Sequence, residues 1–325
     1  MADSPRSSLA EDYPRNMTEL VARFSDEDAC RAYLTKLRWP DGFLCPRCGE
    51  RQGWPVRGGR LMMCSACGRQ TSVTAGTIFQ DSRTPLTTWF RAVWLVTSQP
   101  NGISALNLQR QLGFASYETA WVWLHKLRRA MVRPGRDRLK GIVEVDETYF
   151  GGPEEGTSGR ETYWKVPIVV AAEEVGRGIG RIRLRQIPDC SAASLEAFIK
   201  EAVQPGSTIH TDGFVSYQGL PNLGYVHQVT NISRSGYDAH ELLPLVHRVI
   251  ALLKRWLLGT HQGGVSAEHL DYYLDEFTFR FNRRRSRSRG KLFYRLLQQA
   301  VDVPPAPLAS LRGGISSRPP DVVAT

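Results

Sequence analysis

The chain contains no apolar run long enough to cross a bilayer: stretches such as Val166 to Ala172 fall far short of the roughly 20 residues that a membrane helix needs. It opens without a basic segment followed by an apolar core, so nothing reads as a secretory leader, and a soluble cytoplasmic protein without a membrane partner is the expectation. Acidic residues are in short supply. Asp and Glu number 32 against 42 Lys and Arg, giving a formal charge of +10 and a pI near 9.5. That imbalance favours a polyanionic partner, nucleic acid first, because each phosphate neutralised by a cation releases condensed counterions. Cysteine is scarce too, six in 325 residues, which excludes a disulfide-stapled small secreted fold. No internal repeat appears beyond two paired cysteine units, which excludes solenoids and propellers.

What is present is enough for a substantial core, with hydrophobic residues at 42% and aromatics at 10%. The length suits one catalytic domain of about 150 residues plus one or two small modules. Residues 1–20 and the Pro- and Gly-rich tail 301–325 lack apolar periodicity and read as flexible ends. Between them three blocks separate by composition: a cysteine-rich block expected to form a zinc ribbon over 21–80, a helical block over 84–135, and mixed strands and helices over 140–295. The fold class is α+β, multidomain.

Cys45-Pro-Arg-Cys48 and Cys64-Ser-Ala-Cys67 form C-x2-C-x15-C-x2-C, with Gly49 and Gly68 directly after each pair. Two tight knuckles at this spacing present four thiolates to one tetrahedral Zn2+. Four thiolates leave no open position, so the ion is structural. Cys30 and Cys190 stand alone and read as small buried hydrophobes.

In the helical block, Thr84-Pro85 reads as a cap and first helical position, followed by Leu86, Trp89, Phe90, Val93 and Trp94 on one buried face. A second helix from Ser104 to Leu112 ends at Gly113; a third, capped by Ser116, runs to about Met131 with Ala120, Trp123, Leu124 and Leu127 inward. Helix, short turn and helix make a helix-turn-helix, whose second helix carries Lys126, Arg128 and Arg129 as candidate DNA contacts.

From Gly141 the pattern becomes strand-like through Asp146, with further strands at 166–172 and 181–187, a helix over Ser191 to Val203, and a short strand ending in Asp212. Two carboxylates carried on strands can converge, as hard divalent cations require. His247 follows Asp212 by 35 positions on a helix expected from Leu243 to Leu258, and Lys254 shares its face seven positions later. Glu144 and Glu147 are competing carboxylates, and strand alternation puts Glu144 on the face of Asp146. Beyond a further helix, which Ser266 should cap and whose stripe is Leu270, Tyr273, Leu274, Phe277 and Phe281, the run Arg283-Arg284-Arg285-Ser286-Arg287-Ser288-Arg289-Gly290-Lys291 reads as a phosphate-contacting surface.

Over about residues 35–295 the chain resembles insertion-sequence transposases that combine an N-terminal zinc ribbon with a DDE-type core. The resemblance rests on Val145-Asp146-Glu147-Thr148-Tyr149-Phe150-Gly151-Gly152, Thr211-Asp212-Gly213, Leu253-Lys254-Arg255 with Gly259-Thr260, and Glu276-Phe277-Thr278-Phe279-Arg280-Phe281-Asn282-Arg283-Arg284. It implies an RNase H-like mixed-sheet core with Asp146, Asp212 and His247 as the catalytic triad, His247 standing where Glu is common, and Lys254 as the accompanying cation. It also implies Mg2+ or Mn2+ as catalytic ions, strand cleavage and transfer at transposon ends, double-stranded DNA as partner, a homodimer or larger synaptic assembly, and residence at the nucleoid. The alternatives are a non-catalytic DNA-binding regulator or decayed transposase, and a zinc-ribbon nuclease unrelated to transposition.

Overall fold

The structure, a computed structural model, describes residues 11–133, 135–151, 165–230 and 239–312. It divides into two compact units, one made of residues up to Pro134 together with those from Arg285 onward, the other of Gly135–Arg284.

In the first unit α1 (Met17–Arg23) and α2 (Glu27–Arg38) precede a three-stranded antiparallel sheet of β1 (Gly53–Val56), β2 (Leu61–Cys64) and β3 (Gln70–Ser72). Asn16 and Asp26 cap the two helices through their side chains. Thus part of the segment that reads as a flexible lead-in is helical, and a short helix, α11 (Leu308–Arg312), stands near the other end. Residues 1–10 and 313–325 of those end segments lie outside the described residues.

Three helices follow, α3 (Leu86–Ser98), α4 (Ala105–Leu112) and α5 (Tyr117–Ala130). Ser104 accepts from Asn107 N and Ser116 from Glu118 N, so each hydroxyl occupies an orphan helix donor. Gly113, left-handed at φ 68°, ends α4 where a side chain would strain the turn. The start of α3 differs from expectation. Its cap is Pro85, without a side-chain bond; Glu27 of α2 instead accepts from Leu86 N and Thr87 N, both at 3.0 Å. Nor does α3 bury one face alone: Ala92, Leu95, Val96 and Thr97 are buried as well. The C-terminal helix α10 (Arg289–Ala300) packs on α3, and Phe293 of α10 meets Phe90 and Trp94 at ring-centroid distances of 5.7 and 5.9 Å. Trp89 and Trp123 stack 3.5 Å apart and tie α3 to α5, a contact worth about 0.5–1.5 kcal/mol beyond its burial.

The second unit is built on a five-stranded sheet of β4 (Ile142–Phe150), β5 (Val166–Val175), β6 (Gly178–Gln186), β7 (Thr208–Thr211) and β8 (Val226–Val229), in the order β6-β5-β4-β7-β8. The first three strands are antiparallel neighbours, whereas β4, β7 and β8 run parallel. This is the RNase H-like arrangement. Helix α6 (Ala192–Ala202), capped by Ser191, closes one face through Leu195, Phe198 and Ile199 against Val143, Val145 and Ile209. On the chain's return come α7 (Ala239–Leu242), α8 (Pro244–His261) and α9 (Leu270–Asn282), of which α8 packs on β4 and β5 and α9 on β6. Ser266 heads only a short 3₁₀ turn, and His269 is the residue that caps α9.

The outer edge of β6 would leave backbone donors unpaired. Helix α9 supplies the partners: Asp271 Oδ1 accepts from Gln186 N at 3.0 Å, and Asn282 both accepts from Ile182 N at 2.8 Å and donates to Ile182 O at 3.2 Å. Glu276, 1% exposed, pairs with Arg280 through Nε at 2.8 Å and Nη2 at 2.6 Å. Those contacts account for Glu276, Arg280 and Asn282 in the last of the motifs.

Candidate active site

The two aspartates are carried at neighbouring strands of the sheet, β4 and β7. Ile142, Val143 and Glu144 pair with Thr208, Ile209 and His210 in parallel register. Asp146 and Asp212 each stand two residues beyond the last pair of that register, Asp212 just past the end of β7. Val143, Val145 and Ile209 belong to the core under α6, so Glu144 and Asp146 face the other way, toward α8.

Asp146 is 8% exposed. Asp212 is half-buried, and its Oδ1 accepts from Phe214 N at 3.0 Å, which orients the carboxylate at the strand end. Between them Gly213 takes φ 85°, and a Cβ there would meet Val229 Cγ1 at 2.8 Å, so only glycine turns the chain here without displacing β8.

The third residue arrives on α8. Glu144 Oε2 accepts from Leu245 N and Val246 N, both at 2.8 Å, so a strand carboxylate caps the first turn of this helix. Burial pushes the Glu144 carboxyl above its usual range, offset in part by those two bonds. Glu144 is thereby committed to holding the helix. His247, in the same first turn, puts Nε2 3.6 Å from Asp146 Oδ2. Val246, Val249, Ile250, Leu253 and Leu257 are buried, as the apolar side of the helix requires, while Lys254 is exposed two turns beyond His247.

Glu147 points to the opposite face of β4 and accepts a hydrogen bond from the buried Tyr217 hydroxyl. Burial, then the charges of Glu147, Asp146 and Asp212, holds that hydroxyl well above the ordinary tyrosine range. The sequence reading did not single out Tyr217, although it stands five positions after Asp212.

The zinc ligands converge from two equivalent knuckles. Gly49 N bonds Cys45 O at 3.0 Å and Gly68 N bonds Cys64 O at 3.1 Å, while Cys45 N and Cys64 N bond Glu50 O and Arg69 O. Sγ atoms of Cys45 and Cys67 lie 3.7 Å apart and those of Cys48 and Cys64 3.5 Å apart, and all four fall within 4.8 Å of one another. Tetrahedral Zn–S bonds of about 2.3 Å give S···S separations near 3.8 Å, so the quartet fits structural zinc. Among the described residues this is the group whose ligand atoms gather so closely. Asp146, Asp212 and His247 do not gather so closely. Cys30 is buried and its thiol is pushed up to about 12, chiefly by that burial, and Cys190 packs partly buried against the α6 core.

The cations expected to contact DNA fare differently. Arg128 is 1% exposed, because it lies on the packed side of α5 with Leu124 and Leu127. Lys126 and Arg129 are half-buried, and burial lowers the Lys126 pKa. Arg283 sits over the Phe279 ring at 4.0 Å, and Arg284 over Phe281 at 4.0 Å with bonds to Phe281 O, Gly180 O and Ile179 O. These two brace the end of α9 and the β5–β6 turn, Arg283 half-buried and Arg284 exposed, and Arg285 and Arg287 are exposed as well.

Comparison with known proteins follows the same division. Residues 25–70 match the transposase zinc-ribbon domain and residues 138–282 the ISXO2-like transposase domain, more than half of the chain between them. An uncharacterised protein of the transposable element ISH50 from Halobacterium salinarum is 28% identical over 284 residues, 80% of this chain and 92% of that protein. A transposase-like protein from Haemophilus influenzae is 29% identical over 115 residues, covering 35% of this chain and 92% of its own length. A chain from the simian T-cell lymphotropic virus intasome in complex with PP2A regulatory subunit B56 gamma superposes at a TM-score of 0.29 and 17% identity, over 53% of this chain and 67% of that one, too little to define the fold. The sheet topology, the cysteine quartet and both domain matches agree: the chain belongs to the insertion-sequence transposases that carry an N-terminal zinc ribbon.

Proposed function

We propose that this chain is an active transposase that cuts DNA at the ends of an insertion sequence and joins the freed 3′-hydroxyl to target DNA. The observation that carries the reading is the 3.6 Å approach of His247 Nε2 to Asp146 Oδ2, and the parallel β4–β7 pairing, which ends two residues before each aspartate, supports placing Asp212 beside them. Two carboxylates and an imidazole are a donor set that divalent ions accept. Two such ions, when bound, would activate the attacking oxygen and offset the charge on the leaving oxygen. Asp146 would be shared between them, Asp212 would hold one and His247 the other.

His247 has to be neutral to offer its Nε2 lone pair. Imidazole is a softer donor than carboxylate, so Mn2+ supports cleavage at least as well as Mg2+. Lys254, exposed on the same helix face, neutralises a backbone phosphate as a point charge. Double-stranded DNA is the partner, and pairing of two transposon ends calls for at least two copies of the chain. In this reading Glu144 holds the start of α8, its Oε2 accepting from two backbone donors, and is not counted among the ion ligands.

The test is incubation of the purified protein with its flanking genomic DNA in Mn2+ or Mg2+, with nicks mapped and binding followed by gel shift. Nicks at the element ends, abolished by Asp146→Ala with DNA binding retained, are the expected result. Nicking that survives Asp146→Ala would overturn the assignment. Wild-type binding without any nicking would favour the regulator instead.

A further inference from the structure

Under the face that carries the two aspartates, the sheet buries a polar pair with no place in the chemistry above. Tyr217 is 0% exposed and Glu147 8%. The Tyr217 hydroxyl donates to Glu147 Oε1. The Tyr217 ring belongs to the apolar core that includes Val145, Leu195, Phe198, Ile199 and Leu220. A carboxylate and a phenol in such a core carry a desolvation cost that a leucine and a phenylalanine would avoid. Stability therefore does not explain them.

Their position does. Glu147 is the residue after Asp146 on β4, and Tyr217 closes the 3₁₀ turn Val215–Tyr217 that follows Asp212. The hydrogen bond joins the two segments that set the distance between the acids, from the side remote from α8. It acts where β7 has already ended at Thr211 and no ladder bond holds Asp212 to β4. The Tyr217 hydroxyl also lies within the electrostatic reach of Asp146 and Asp212.

We propose that the Tyr217–Glu147 hydrogen bond is a positioning staple that holds Asp146 and Asp212 at the separation a pair of divalent cations requires. The proposal rests on the two-ion reading of the site. In this reading neither residue is an ion ligand or a DNA contact, so the staple acts on metal affinity and leaves the rate at saturating metal alone. Supporting partners of metal ligands typically change affinity by about 10- to 100-fold when removed.

The experiment uses the full-length zinc-loaded protein and Mn2+, with bound Mn2+ read from the loss of the free-ion EPR signal and cleavage read in parallel. Tyr217→Phe keeps the ring and removes the donor; it should weaken Mn2+ binding about tenfold and raise the Mn2+ midpoint of cleavage equally, with the rate at saturating Mn2+ near wild type. Glu147→Gln keeps an acceptor oxygen for the phenol and should shift both midpoints less. Unchanged Mn2+ affinity in Tyr217→Phe, alongside lost affinity in Asp146→Ala, would overturn the staple and leave the site intact. A Glu147→Gln shift as large as that of Tyr217→Phe would assign the effect to charge and overturn it as well. If Asp146→Ala binds Mn2+ like wild type, the ion site and the staple fall together.

Discussion

Asp146 and His247 stand 3.6 Å apart, Oδ2 to Nε2, because Glu144, two residues before Asp146 on the same strand, grips the first turn of the helix that carries His247. Strand and helix are more than 90 residues apart in sequence, and one carboxylate sets where they meet. The first N–H groups of a helix have no partner inside it, and the helix dipole favours negative charge there. Glu144 answers both needs from outside the helix. The same device starts α3, where Glu27 caps Leu86 and Thr87.

Removing the Glu144 cap should therefore separate geometry from stability. Glu144→Gln retains an oxygen acceptor, and its melting temperature and cleavage rate should stay close to wild type. Glu144→Leu leaves two donors unsatisfied and should cost about 1–2 kcal/mol in denaturant unfolding, with cleavage falling further than that loss explains because α8 no longer seats His247. Equal activity in the two variants would mean that the cap does not position His247.

The pair Glu276–Arg280 tests the packing of α9. Its carboxylate is 1% exposed as a side chain and its guanidinium 11%. Arg280→Ala strands a buried charge and should destabilise the protein by about 3–5 kcal/mol, read as a lower urea midpoint at unchanged slope. Replacing both residues with methionine should recover most of that loss, since no charge is then left uncompensated.

Glu173 gives the fold an acid-sensitive joint at the β5–β6 hairpin, beside the register shift between Ala172 and Glu174. Burial raises its carboxyl, but bonds from the Arg181 side chain and from the backbone of Arg181 and Lys140 outweigh that and hold it below the ordinary 4.5. A carboxylate with a lowered folded pKa contributes stability that is fully present above 4.5 and is lost as pH falls through the lowered value. Glu173→Gln should flatten the acid limb of a melting-temperature profile below 4.5 while lowering stability at neutral pH. An unchanged acid limb would place the sensitivity elsewhere.

Local signals made much of this legible. The zinc knuckles follow from spacing, and Ser104, Gly113, Ser116 and Ser191 mark helix ends because each acts within four residues of itself. Glu27 and Glu144 are different: their acceptors serve helices 59 and 101 positions away, and no local pattern records that, so Thr84 looked like the cap of α3. Tyr217 was hidden for the same reason, since its partner Glu147 lies 70 positions back. Burial all round α3 depends on α10 returning from the far end of the chain. The basic residues misled because charge in a sequence does not say whether a guanidinium meets solvent, an aromatic ring or a carbonyl.

That distinction yields a prediction for DNA binding. Arg285 and Arg287 are exposed, whereas Arg128 is 1% exposed. Each phosphate contact removed should reduce the slope of log affinity against log salt by about one and weaken binding to any sequence alike. Arg285→Ala and Arg287→Ala should each do this without moving the melting temperature. Arg128→Ala should do the reverse, lowering the melting temperature through lost packing while the salt slope of the folded protein stays at the wild-type value. A reduced slope in Arg128→Ala, measured by fluorescence anisotropy from low to physiological salt, would return that residue to the DNA surface. An unchanged slope in both exposed variants would remove the arginine run from it.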